Sequence, residues 1–366
     1  MSNNKSCGEV CKKTSIGGQA LLGGIMMRGP VNSAMAVRNP KNEIVVEEWP
    51  TNGKPVPSFF KLPLVRGVYN MIASFTVGMK CIMRSAEISE LDEEKPEEKK
   101  ETNELQEASP ITKEDAVEAV SEDDGQKNEK KGKKDKKDSD KITKTELTVA
   151  SVIGVILGLL VSVGLFFYLP TFLFTLIVND AIGYQNDGSY LYMITRSAFE
   201  GVIRILIFVG YMVAVSFMKD IRMTFMYHGA EHKTIFCYEK GLPLTVENIR
   251  KQSRLHPRCG TSFMVIMLIL GILIGMFIPE FNVSSFVMVN NLIRTVVKLL
   301  LLPLTVGIGY EIIKFAGRHD NWFVKVISAP GKLMQLISTK EPTDDMIECA
   351  IVAMEKVIPD DQSDTW

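Results

Sequence analysis

His228, Glu231 and His232 occur in HGAEH, and His256 and Cys259 follow in LHPRC, so three of the chain's four histidines fall between residues 228 and 256. Positions i, i+3 and i+4 share one face of a helix, which lets both imidazoles reach one ion with the carboxylate beside them. H-x-x-E-H is the inverted zincin order, in which two histidines bind zinc and the glutamate is the general base. Pro257 disfavours the α region at His256 and suits the first helical position, so a helix is predicted to start there with Cys259 in its first turn. The helix dipole and adjacent Arg258 favour a thiolate at Cys259. His228, His232, His256 and Cys259 together make a zinc-type donor set, because imidazole and thiolate prefer that ion to magnesium or calcium. If all four bind, the shell is closed and the metal is structural. If one is absent, the open position and Glu231 as base make a hydrolase site. The residues alone leave both readings open, as they do whether His319 or Glu311 joins the site. Cys237 reads as a packed apolar residue on the same helix.

These residues must be positioned by a chain of 366 residues that is 46% hydrophobic and 23% charged. The two kinds are segregated, which excludes a simple soluble domain. Four stretches, near 147–169, 198–218, 261–279 and 292–313, have the roughly 20 apolar residues that cross a bilayer as a helix. Glu200 and Arg204, four apart in the second, can pair. Lys and Arg crowd the segment before the first stretch and the loop 219–260, while 179–197 and 280–291 hold one basic residue between them. That bias places both termini and the histidine cluster in the cytoplasm of a cell whose inner membrane the chain spans several times. The polar opening MSNNKSCGEVCKK is no cleavable signal peptide, and the six cysteines lack a framework of spacings, so reduced thiols are expected.

The remaining pieces follow from local pattern. Residues 1–14 are expected to be a disordered tail and 15–60 a small β-rich segment, in which AMAVR and EIVVEEW flank the turn NPKN. Residues 61–91 read as an amphipathic, interfacial helix interrupted by Arg66 and Lys80. The insert 92–146, almost entirely Glu, Asp, Lys and Ser, buries too little to order itself and is expected to be a tether. Residues 147–313 hold the four apolar helices, and 314–366 cytoplasmic helices. Among these, TDDMIECAIVAMEKVI has Thr343 at an N-cap and one apolar face at 346, 347, 350, 351, 354, 357 and 358. The glycine-rich GGQALLGGIMMRGP lacks both phosphate-loop patterns and suits a backbone held close to a neighbour. Arg28 and Arg66, each beside a glycine, suit salt bridges or an anion.

GGQALLGGIMMRGP, AVRNP, PLVRGVYNMIASFTVGMK, YHGAEHKTIFCYEKG, RLHPRCGTSF and STKEPTDDMIECAI together resemble the bacterial YqhQ-like family of membrane proteins. The resemblance covers nearly the whole chain except 1–14 and 92–146. It implies a multi-pass membrane protein described as a predicted metal-dependent enzyme, with His228, Glu231, His232, His256 and Cys259 in its ligand motifs. The family usually carries an acidic residue where this chain has Gly23.

The sequence therefore describes a mainly α, polytopic helical membrane protein with about four transmembrane helices and a small β-containing N-terminal segment. Its partners are the lipid bilayer and a protein or substrate that the residues do not identify; no nucleic acid is expected. A zinc-dependent hydrolase is the first reading and a non-catalytic membrane scaffold or biogenesis factor with a structural metal the second. A transporter ranks third, since no stretch carries an acidic relay. The orientation is checked by labelling single cysteines from outside the cell: positions 185 and 285 should react and position 240 should not. Labelling at 240 would overturn the orientation.

Overall fold

The computed structural model describes residues 12–51, 57–90 and 144–365, apart from 185, 258, 282, 320 and 362. The expected tail over 1–11, the expected tether over 92–143 and Arg258 lie outside the described residues. By contact the chain divides into residues 1–94 with 159–366, and residues 95–158. The second unit contributes, among the described residues, only the start of helix α2 (Lys144–Val163).

Near its start the chain folds into a four-stranded antiparallel meander, β1 (Gly17–Leu21), β2 (Gly24–Arg28), β3 (Asn32–Arg38) and β4 (Ile44–Pro50). AMAVR and EIVVEEW do form a hairpin, with Val37 opposite Val45 and Ala36 opposite Val46. Side chains alternate faces along a strand, and here both faces are buried. Ile25, Met27, Ala34 and Ala36 join a core with Tyr227, Ile347, Ala350 and Met354. Met26, Met35 and Val37, on the opposite face, pack with Cys81 and Ile88. Helix α1 (Val65–Glu90) thus covers one face of the sheet, and the helices that carry the first core cover the other. Arg66 of α1 forms an ion pair with Glu311, so both side chains are accounted for in a salt bridge.

The expected apolar stretches appear in order but not at equal length. A helical run over Ile153–Ala181, which includes the end of α2 and α3 (Leu169–Phe174), and α4 (Tyr190–Val215) are long and apolar enough to cross a membrane. After α5 (Lys219–Glu239) and the short α6 (Val246–Arg250), α7 (Gly260–Gly275) has 16 residues. At 1.5 Å per residue that is about 24 Å, short of a bilayer core of about 30 Å. The fourth stretch is split into α8 (Val287–Leu300) and α9 (Leu302–Arg318), bent by 41°, and counts as a third span only if the pair is one. Pro303, the second residue of α9, disfavours helical backbone before it and donates no N–H, which accounts for the break. Four full-length spans were expected; by length and composition the described helices supply two, or three with the bent pair.

The chain closes with α10 (Trp322–Ser338) and α11 (Asp344–Glu355). Thr343 sits at the N-cap of α11 but makes no capping hydrogen bond with its side chain. The apolar face of α11 is buried as its periodicity predicts, and its partners are α5, β2 and β3. Residues 12–14, expected in the tail, are instead held in place: Lys12 donates its backbone N–H to Glu239 O at 3.0 Å and its ammonium lies 3.8 Å from the Tyr238 ring centre. Thr14 pairs with Thr365 as an isolated bridge, and its hydroxyl donates to Asp364 at 2.7 Å. Opposite charge and aromatic contact tie these residues down. Because Ile347 is fully buried between the sheet and α5, Ile347→Ala is expected to cost about 2–4 kcal/mol. A clearly lowered thermal unfolding midpoint would agree; an unchanged one would place α11 elsewhere.

Candidate metal centre

HGAEH lies within α5, which carries His228, Glu231 and His232 on one side, with the two imidazole ring centres 4.4 Å apart. Each imidazole is held by a backbone carbonyl. His228 Nδ1 is 2.9 Å from Ser338 O, at the end of α10, and His232 Nδ1 is 2.5 Å from Arg254 O, in the loop before α7. A carbonyl can only accept, so Nδ1 carries the proton in both rings and each Nε2 presents a lone pair. His228 Nε2 lies 3.1 Å from Cys259 Sγ. His232 Nε2 is buried and has no hydrogen-bond partner among the described residues. The donor atoms of His228, His232 and Cys259 all lie within 4.8 Å of one another, a spacing one ion can gather with a small inward shift, given bonds of about 2.0–2.3 Å.

The start of α7 differs from the sequence expectation. The helix begins at Gly260, and Cys259 is its N-cap, with φ −96° and ψ 150° rather than a place in the first turn. Its sulfur accepts from Thr261 N at 3.4 Å, satisfying one of the N–H groups that a helix start leaves unpaired. His256 therefore lies in the approach to the helix. Its Nε2 is 3.4 Å from Glu239 Oε2 and its ring packs on Phe236 at 4.5 Å. Its ring centre is 5.7 Å from that of His232 and it lines the same cavity, but it is outside the group that His228, His232 and Cys259 form. His319 bonds its own helix at Phe315 O, and Glu311 is taken by Arg66; neither is in the group. Cys237 is a buried core residue, as its place on α5 suggested.

Glu231 is buried, 5% exposed, beside this group. Burial raises its pKa above the ordinary carboxyl value, and the nearby His228 and a hydrogen bond from the Gly18 backbone pull it partly back. A side chain at Gly18 would meet Met26 O at 2.6 Å and the Glu231 carboxyl carbon at 3.1 Å, so the glycine permits the close approach of β1. Gly18, Glu231, His228, His232 and Cys259 face one cavity of ≈ 480 Å³. Gly23 does not line it. It takes φ +69° in the turn between β1 and β2, where a Cβ would meet Ser89 of α1 at 2.9 Å.

Several supporting groups escaped the sequence reading because they are backbone atoms or distant side chains. Gln335 of α10 donates to His256 O at 2.7 Å, and Lys233 bonds Arg250 O at 2.9 Å and Glu341 at 2.7 Å. Arg254 in turn bonds Thr339 O. These contacts hold three chain segments around α5. The segment after α10 crosses α5 at Gly229, where a Cβ would lie 2.0 Å from Lys340 O. Helix propensity alone would make Gly229→Ala stabilising by about 1 kcal/mol. The clash is expected to reverse the sign and destabilise by about 1–3 kcal/mol, read as a lower thermal midpoint. A raised midpoint would disprove the crossing.

A family model described as "Protein of unknown function (DUF1385)" matches residues 62–360, a span that includes all five histidine, glutamate and cysteine positions. The chain is also 29% identical over 344 residues to a Bacillus subtilis (strain 168) protein named "Uncharacterized protein YqhQ", covering 93% of this chain and 92% of the other. No solved structure matches. With the family model matched over most of the chain, and the relative aligned over about nine-tenths of both chains, this protein belongs to the DUF1385 family, the YqhQ-like family that its motifs resemble.

Proposed function

We propose that this is a multi-pass inner-membrane hydrolase whose cytoplasmic cluster, His228, His232 and Cys259, holds one zinc ion. The observation that carries the reading is His232 Nε2, a buried acceptor without a partner among the described residues, within 4.8 Å of the His228 ring nitrogen and the Cys259 sulfur. Leaving such an atom unpaired is costly, and a metal ion would satisfy it. Both second ring nitrogens already donate to carbonyls, the arrangement that orients metal-binding histidines. Three protein ligands leave a coordination position open, as in catalytic rather than structural zinc sites. When bound, the ion supplies Lewis acidity toward a carbonyl or phosphoryl oxygen and acidifies water. Glu231, its pKa raised by burial, faces the cavity and is placed to take a proton there. The staple reading requires His256 as a fourth ligand, and its Nε2 is 3.4 Å from Glu239 Oε2.

Membrane insertion is supported by what the helices leave uncovered. Ile72, Phe75, Met79 and Met83 form an exposed stripe along α1, with Phe75 71% exposed. The run Ile153–Ala181 likewise exposes Leu157, Leu160 and Val161. Apolar stripes of this extent suit lipid rather than water.

The purified protein is expected to carry about one zinc per chain by elemental analysis. His232→Ala and Cys259→Ala should each remove most of it and lower stability, since metal held by the folded state contributes to folding, while His256→Ala should retain it. Glu231→Gln should keep metal and fold but fail to complement a deletion strain. A Glu231→Gln protein that complements would favour the scaffold, and a His232→Ala protein that binds zinc as well as the parent would remove the metal altogether.

A further inference from the structure

The apolar helices bury an ionic network outside the metal centre. Arg196 pairs with Glu200 at 3.1 Å and also with Glu280, and Arg294 pairs with Glu280. Arg204 pairs with Glu200 at 3.1 Å, and Lys298 with the same carboxylate. The side chains of Glu200, Arg294 and Lys298 are 0%, 1% and 8% exposed. In this network four cations, Arg196, Arg204, Arg294 and Lys298, share two carboxylates, Glu200 and Glu280, among the described residues. The spacings 196, 200, 204 and 294, 298 put these charges on single helix faces. Surplus positive charge between apolar helices is costly unless an anion balances it.

Two of the four cations open on a groove. Arg204 and Lys298 line a cavity of ≈ 380 Å³ that follows α7 from Met264 to Gly275 between mostly apolar walls such as Phe208 and Leu268. Gly271 faces it, with nothing within 4 Å of where a Cβ would stand. A small inorganic anion would leave the apolar wall unmatched, and a neutral chain would leave the cations unbalanced. A single acyl chain ending in an acidic group satisfies both the walls and the charge. We propose that the groove binds an anionic lipid, with one acyl chain along α7 and the acidic headgroup at Arg204 and Lys298.

The test uses the full-length protein in detergent, stripped of lipid and offered phosphatidylglycerol or phosphatidylcholine with the same chains. Bound lipid is counted by native mass spectrometry. Phosphatidylglycerol should be retained about tenfold more tightly, a preference worth one factor of ten in Kd, and inorganic phosphate should not displace it. Lys298→Gln should abolish the preference. Gly271→Leu, which fills the groove while leaving every ion pair in place, should weaken binding of phosphatidylglycerol by a similar factor, and it decides the matter if the Lys298 variant does not fold. Equal retention of the two lipids, displacement by phosphate, or undiminished binding by Gly271→Leu would each overturn the proposal.

Discussion

Two backbone carbonyls govern what the histidines of this protein can do. Ser338 O and Arg254 O each take the Nδ1 proton of an imidazole on α5, and in doing so leave both Nε2 atoms as acceptors beside Cys259. Those carbonyls come from chain segments far from α5 in sequence, so the cluster exists only while α10 and the loop before α7 are held against one helix. Gly229 makes room for the first, and the Lys233 and Arg254 contacts fasten the second. A chemistry-bearing motif of five residues is thus inert until three segments converge on it.

The N-terminal sheet serves the same end. It is buried on both faces, so its apolar residues alternate between two cores rather than between core and solvent. One face fixes α5 and α11, and the first strand brings the Gly18 N–H to Glu231. The sheet therefore sets both the position and the electrostatics of Glu231, the carboxylate on the same helix face as His228 and His232. Glu239 extends the support further, accepting from Thr14 N at 3.0 Å and meeting His256, so the described start of the chain is tied to the back of the centre.

The apolar helices follow another rule. Charges among them cannot be left to water, and the pairs that join α4 to α8 and to Glu280 show how a few cations and carboxylates tie together helices of largely apolar sequence. The sequence reading saw Glu200 and Arg204 as one local pair. In three dimensions Glu200 is shared by Arg196, Arg204 and Lys298, because the Lys298 side chain of α8 reaches α4.

Local pattern was enough to determine the β3–β4 hairpin, the apolar stretches, the buried face of α11 and the shared face of His228, Glu231 and His232, because each depends on a period of two or 3.6 residues. It was not enough for the length of the spans, since Pro303 and the N-cap at Cys259 set helix ends that hydropathy averages over. Nor could it place His256 against Glu239 or take residues 12–14 out of the tail, since those outcomes depend on Glu239, Tyr238 and Asp364. Residue types and spacing determined which donors were available. Tertiary structure alone decided which of their atoms were left without a partner, because a hydrogen bond to a distant carbonyl selects the tautomer, and no periodicity in the chain encodes that carbonyl's position.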